Sequence, residues 1–303
     1  MSKATNSPSS QPLSIAIVGM GGIGSLFAFQ FSSVGHHDLT AIARPGSPRF
    51  QQLERDGGVV DVQGKRVDMK ISDCLDEAIA YDLVIVTLPA HLVGAVLPAL
   101  QRSAAKWVQF MFNTFNPERL QTAVGAHRCS FGMPFVQGSI ELNGRLNAKI
   151  GAGGQKTIMN SQLWVDVFNA SGLPSKLEPD MLLWLRCHVP LCIAFESASV
   201  AGVRRNGGAS WNEAMVIAHG VKESFTLIRR LGYRLYPAGK ARLDRSPAFV
   251  MASMLWFMSR IPSFRNLLAT GINECRALVD TLVAAVPKVS PAMSVTRIEE
   301  MKP

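Results

Sequence analysis

The sequence predicts an α/β protein, with an N-terminal Rossmann-type doubly wound sheet followed by an all-helical C-terminal domain. Three observations carry that expectation. The first half alternates short apolar runs with helical stretches, the pattern of parallel strands covered on both faces. A glycine-rich turn joins the first run to the first helix. Beyond residue 179 the texture changes to long segments of helical periodicity. The composition has room for such a fold: 303 residues, 48% hydrophobic and 17% charged, supply a sizeable core and exclude a disordered chain.

Residues 1–12 are polar, Ser/Pro-rich and carry only Lys3, which reads as a flexible tail and not as a signal peptide. Ser14–Val18 is a buried-strand pattern, and 22–34 reads as the helix that follows. A second strand at 39–43 closes on the turn Arg44-Pro45-Gly46, and further strands are expected at 82–88 and 107–112. Glycines 138, 144, 151, 153 and 154 punctuate the stretch 130–154, predicting hairpin strands at the far edge of the sheet. Near Ser171-Gly172-Leu173-Pro174 the pattern breaks. The expected division is a tail (1–12), a dinucleotide-binding domain (13–178) and a helical substrate and dimerisation domain (179–303). Helices are expected there over 180–200, 210–231, 246–258 and 271–286.

The longest apolar stretch, 181–203, is interrupted by Arg186, His188, Pro190 and Glu196, and no uninterrupted run reaches the ~18–20 residues of a membrane span. No membrane partner is expected. Five scattered cysteines without a CxxC argue against a disulfide framework or zinc site and for a reducing, cytoplasmic setting. The net charge of +9 is uneven: 15 basic and 13 acidic residues before position 179, 16 and 9 after it. The second half is therefore expected to attract a small anionic substrate. No block of five or six basic residues with interleaved aromatics occurs, so nucleic acid is not an expected partner.

The run Val18-Gly19-Met20-Gly21-Gly22-Ile23-Gly24 places Gly19, Gly21 and Gly24 at GxGxxG spacing between a strand and a helix. Each glycine has its own task there: a tight turn, backbone approach to a pyrophosphate, and helix–strand packing. The helix start then offers unpaired N–H groups to the phosphates. Sites for NAD carry an acid at the end of the second strand. Here that position is Arg44, whose cation suits a ribose 2′-phosphate, and Arg49 is placed to assist from the next turn. NADP is the expected cofactor, and no metal site is expected.

Beyond this loop the residues resemble the ketopantoate reductase (2-dehydropantoate 2-reductase) family over nearly the whole chain. The segments carrying the resemblance are IAIVGMGGIGSLFA, LTAIARPG, DLVIVTLPAHLV and FMFNTFNP in the first half, and LLWLRCH, RRNGG, ASML and LATGINE in the second. The resemblance implies a Rossmann domain joined to a helical substrate domain. It implies that Asn113 contacts cofactor and substrate, and that Asn206 and Ser253 bind substrate. Four positions depart from the family pattern. Arg186 stands where the family has its catalytic lysine and Gly271 where it has a glutamate; Pro89 replaces a cofactor-contacting lysine and Pro190 a second asparagine.

These departures bear on mechanism. Hydride delivered to a ketone leaves charge on oxygen, which must be stabilised and then protonated. Arg186 keeps the positive charge but does not release a proton, because a guanidinium pKa exceeds ~12. The proton must come from His188, Glu196, His91 or water. Glu196, in an apolar stretch, needs a partner if ionised, and Arg204 or Arg205 could supply one. The same two arginines could alternatively clasp a substrate carboxylate. Trp184, Trp256, Phe257, Met251, Met254 and Met258 have helical spacing and read as core or as a homodimer surface. The expected function is an NADP-dependent reductase of a small anionic 2-oxo acid. The alternatives are a non-catalytic NADP-binding paralogue that senses or binds a partner, and a reductase of another carbonyl or of an imine.

Overall fold

The computed structural model describes residues 11–289 and 293–303; all of the expected tail except Gln11 and Pro12 lies outside the described residues. The first half forms twelve strands: β1 Ser14–Val18, β2 Asp38–Ile42, β3 Gly58–Val60, β4 Arg66–Asp68, β5 Lys70–Ser72, β6 Leu83–Val86, β7 Val108–Met111, β8 Cys129–Met133, β9 Gln137–Ile140, β10 Leu146–Lys149, β11 Thr157–Met159 and β12 Ser175–Leu177. Eight of them make one sheet, in the order β12-β11-β8-β7-β6-β1-β2-β5. From β5 across to β8 all neighbours run parallel, and β11 joins β8 antiparallel. Strands β6 and β7 are buried along their whole length, as LVIV and VQFM should be in a sheet covered on both faces. The helices of this half are α1 Gly22–Ser33, α2 Pro48–Asp56, α3 Leu97–Arg102, α4 Pro117–Val124 and α5 Gln162–Ala170.

One expectation for the stretch 130–154 is corrected. Cys129–Met133 is an interior strand of the main sheet, and the far edge belongs to β11 and β12. Strands β9 and β10 form a separate antiparallel pair that packs against α1. The reason is local. Gly138 brings its backbone so close to Gly22 that a side chain on Gly22 would stand 1.9 Å from the Gly138 carbonyl oxygen. Two glycines let the hairpin lie against the start of α1, away from the sheet edge.

The second half is helical: α6 Met181–Arg204, α7 Trp211–Arg230, α8 Ala238–Arg245, α9 Ala248–Met258, α10 Pro262–Leu268, α11 Ile272–Val283 and α12 Thr296–Glu299. Helix α6 has the length and apolarity of a membrane span, yet 67% of its most apolar window is buried within the protein, which makes it a core helix. Ser210 opens α7 through a capping box with Glu213. The chain divides into two compact units. The sheet unit runs to Phe112 and resumes over Glu118–Met181; the helical unit is Asn113–Pro117 with Leu182–Pro303. Each has its own core, with Phe27, Phe31 and Phe168 in the first and Phe225, Leu255 and Leu278 in the second.

Candidate active site

In the sheet unit the chain leaves β1 through Gly19, whose φ of +102° lies in the region that side chains avoid. The Gly19 N–H donates to the Ile42 carbonyl at 3.0 Å, and the Thr87 hydroxyl donates to the Gly19 carbonyl at 2.6 Å. The turn is thus pinned between the ends of β2 and β6. Gly24 packs so tightly that a Cβ there would lie 2.0 Å from the Gly19 oxygen, whereas a Cβ on Gly21 would meet nothing within 4 Å. The three glycines therefore divide into turn, open ledge and close packing. No side chain caps α1 and no acid sits in its first turn, so the amides of Gly22, Ile23 and Gly24 meet no competing side-chain acceptor. Met20 is buried and anchors the loop through its carbonyl, which accepts from Ser25 and Arg49.

Arg44, just beyond β2, is exposed, and its guanidinium has no hydrogen-bond or ion-pair partner among the described residues. Arg49 is otherwise occupied. Its guanidinium donates to the Met20 carbonyl, the Ser25 hydroxyl, Gln52 and the Gly144 carbonyl, tying α2 and the β9–β10 turn to the glycine loop. This corrects the expectation that Arg49 assists at a 2′-phosphate. An uncapped helix start beside an open glycine ledge, flanked by an exposed cation, suits the pyrophosphate of a dinucleotide.

In the helical unit, Asn113 is 8% exposed and stands in a polar cluster with buried Glu196 and half-buried Cys192 and Glu274. Its Oδ1 accepts from the Cys192 thiol at 3.2 Å, and its side chain acts to lower the pKa of Glu274, near the start of α11. Glu196, on α6, is 9% exposed, and its Oε2 has no hydrogen-bond partner. Burial, then the Glu274 charge, push its pKa up to about 8, against the lowering influence of the nearby Cys275 thiol. Desolvation also raises Glu274, opposed by the neighbouring Asn113 side chain. Burial holds the Cys192 and Cys275 thiols protonated, Cys275 being pushed up to about 12, so neither is a thiolate nucleophile at neutral pH.

Arg186 is 3% exposed, with its guanidinium 3.9 Å from the centre of the Tyr233 ring and 5.8 Å from that of Phe115. Phe115 lies two residues from Asn113, so the structure brings Arg186 against the segment that carries Asn113. Asn206 and Ser253 are not drawn into this cluster. Asn206 is exposed with φ +52°, ending α6 in the left-handed conformation that asparagine tolerates. Ser253 is exposed and donates to the Phe249 carbonyl of its own helix at 2.8 Å.

The other proton-source expectations resolve differently. Arg205 pairs with Glu213 at 2.8 Å, so that arginine neither neutralises Glu196 nor stands free for a substrate. Ring stacking at 4.2 Å places His188 on Trp184, and burial followed by the Lys240 charge lowers its pKa to about 3. It is a neutral packing residue. His91 is exposed. Trp184 and Met251 are core; Trp256 and Phe257 are exposed. Sequence reasoning missed Glu274 and Lys240. Lys240 is 7% exposed on α8, with Nζ donating to the Trp184 carbonyl at 3.1 Å. Its segment, AGKARLDR, reads as a solvated helix, and no pattern in it marks one lysine as buried.

Residues 15–158 match the family model described as ketopantoate reductase PanE/ApbA. No curated protein matches the chain. Among solved structures, a PanE/ApbA family ketopantoate reductase from Ralstonia eutropha JMP134 is similar over 95% of both chains, with a TM-score of 0.73 and 18% identity. A 2-dehydropantoate 2-reductase from Geobacter metallireducens GS-15 is similar over 95% of this chain and 97% of its own, with a TM-score of 0.67 and 16% identity. D-mandelate dehydrogenase in complex with NADH is similar over 96% and 97%, with a TM-score of 0.67 and 14% identity. At these identities the likeness to each structure is one of fold.

Proposed function

We propose that the chain, whose residues 15–158 match the family model described as ketopantoate reductase PanE/ApbA, is an NADP-dependent oxidoreductase that reduces the carbonyl of a small anionic 2-oxo acid. The observation that carries this reading is the open ledge at Gly21 before an uncapped α1, with exposed Arg44 at the end of the adjacent strand. Gly19 to Gly24 would hold the pyrophosphate. Arg44 would hold the 2′-phosphate, and an acid at that position would repel it. The NADH-bound neighbour is a different protein, and Arg44 is what favours NADP here. In reduced form the bound dinucleotide supplies a hydride.

Within the helical unit, Arg186 is the cation assigned to the substrate, where it steadies the charge that develops on the carbonyl oxygen or holds the carboxylate. Its burial against Tyr233 and Phe115 keeps the guanidinium in a low-dielectric setting where that charge acts strongly. Asn113 is assigned to position nicotinamide and substrate. Asn206 and Ser253, both exposed, are assigned to orient the substrate. The excess of basic residues after position 178 favours an anion.

Calorimetric titration with NADPH and NADH tests the cofactor half of this reading. The wild-type chain is expected to bind NADPH at least tenfold more tightly than NADH, and Arg44→Asp to abolish or invert that preference. Equal affinities before and after the substitution would remove the role of Arg44. An absorbance assay over a panel of 2-oxo acids tests the chemistry; NADPH binding with no turnover would make the chain a cofactor-binding protein only.

A further inference from the structure

Arginine at position 186 and a neutral His188 leave open which group protonates the reduced oxygen. The cluster around Asn113 contains two carboxyls. Glu196 reaches across from α6 to the N-terminal end of α11, where Gly271, the residue before the helix, carries no side chain. A Cβ there would stand 3.2 Å from the Glu196 Cδ and Oε1 and 3.4 Å from Oε2. The space a side chain at 271 would take is thus occupied by the Glu196 carboxyl. Oε2, in a residue nine-tenths buried, finds no hydrogen-bond partner there. Glu274 lies three residues further along the chain, one helical turn on, and is within the influence of the Asn113 side chain. The groups facing the pair are the Cys192 thiol from α6, the Cys275 thiol from α11 and Asn113. No ion pair among the described residues includes either carboxyl. Lys240, from α8, is felt at Cys192 but is not among the groups acting on Glu196 or Glu274.

We infer that Glu196 and Glu274 form a proton-sharing carboxyl pair that serves as the acid of the proposed reduction, with Glu274 as the member beside Asn113 and Glu196 as the reserve behind it. Two neighbouring carboxyls, one buried and one half-buried, with no ion-pair partner among the described residues, cannot both ionise at low cost, so the pair retains a proton at neutral pH. The upward shift at Glu196 agrees with this. In the step itself, hydride addition turns the carbonyl π pair into an oxygen lone pair. A new O–H bond then forms to that oxygen as the Glu274 O–H breaks. Glu196 passes its proton to the resulting Glu274 carboxylate and is reloaded from solvent. Reduction consumes one hydride and one proton, and the alcohol leaves with both.

The pair rests on the reading as a carbonyl reductase, but its protonation can be measured without cofactor. Infrared difference spectra of the cofactor-free protein between pH 5 and 10 report a protonated buried carboxyl directly. The expected result is a carboxylic-acid band that persists past pH 7, is lost on further alkalinisation, and disappears at pH 7 in Glu196→Gln. Gly271→Ala, which crowds the Glu196 carboxyl without removing it, should displace the band. Both carboxyls ionising in the ordinary range below pH 6, or a band indifferent to both substitutions, would overturn the pair. In turnover, Glu274→Gln is expected to lower kcat about 100-fold or more, in the range of general acid catalysis, with NADPH affinity within twofold of wild type. Glu196→Gln should displace the alkaline limb of the kcat profile. An unchanged kcat and pH profile in both variants would refute the assignment. A failure of NADPH to bind would instead remove the reductase reading while leaving the band intact, so the two failures are distinguishable.

Discussion

Glu196 and His188 sit two turns apart on α6, and burial drives them in opposite directions, the carboxyl up to about 8 and the imidazole down to about 3. Both are thereby neutral near pH 7, which is how one apolar helix holds two ionisable side chains. The consequences for stability have opposite signs. Between the ordinary glutamate value and about 8, the folded chain keeps a Glu196 proton that the unfolded chain has released. This contribution is therefore whole below that window and is lost as pH rises through it. His188 is neutral when folded, so its contribution is present above the ordinary histidine value and is lost as pH falls towards about 3. Glu196→Gln is expected to leave stability at pH 5 nearly unchanged and to raise it at pH 9 by on the order of 2–4 kcal/mol. Denaturant unfolding at the two pH values checks this, and wild-type and variant curves that stay parallel would contradict it.

At the scale of the element, the turn from β1 into α1 separates fold from binding residue by residue. Gly21→Ala adds a Cβ into open space on a backbone with φ −71°, so the fold should tolerate it. Gly24→Ala drives a Cβ to 2.0 Å from the Gly19 oxygen and 2.8 Å from the Thr87 hydroxyl, and the helix must shift. The expected outcome is a loss of about 2–4 kcal/mol for Gly24→Ala. For Gly21→Ala the change in stability should stay within about 0.5 kcal/mol, with NADPH affinity reduced at least tenfold. Thermal unfolding and calorimetry on the two variants decide it; equal effects of both on both readouts would show that the loop does not partition in this way. The same turn explains how the hairpin expectation went astray. Gly144, with φ +80°, does mark the β9–β10 turn, but the packing partner was set by Gly22 and Gly138 meeting backbone to backbone.

Across the whole molecule, charge is divided between two units with separate cores. The helical half holds 16 basic against 9 acidic residues, and Arg44 adds an exposed cation to the sheet unit. Binding of the extra phosphate of NADPH should therefore weaken with ionic strength more steeply than binding of NADH. Calorimetry at low and high salt is expected to show the NADPH-over-NADH preference shrinking severalfold, and a preference independent of salt would argue against a charge-based origin. Much of the architecture was legible in the sequence, since period and glycine placement are local properties: the β1–turn–α1 unit, the buried runs of β2, β6 and β7, and the long helices α6, α7, α9 and α11. Short elements such as α3, α8 and α10, and the place of β8 inside the sheet, left no comparable trace. They form because larger surfaces need covering, and that need is written elsewhere in the chain.

The sequence by itself determined the class of fold, the glycine turn and the cation at the end of β2, because each depends on residue type at a fixed spacing. Only the tertiary structure decided that Arg49 is a strut, that His188 is packing, and that Glu196 leans into the room left by Gly271 beside Glu274 and Asn113. Those roles depend on what stands within a few ångströms in space, often from a distant part of the chain, and on how little water reaches it. Proximity and dielectric are properties of the folded molecule, and they set the protonation of its acids.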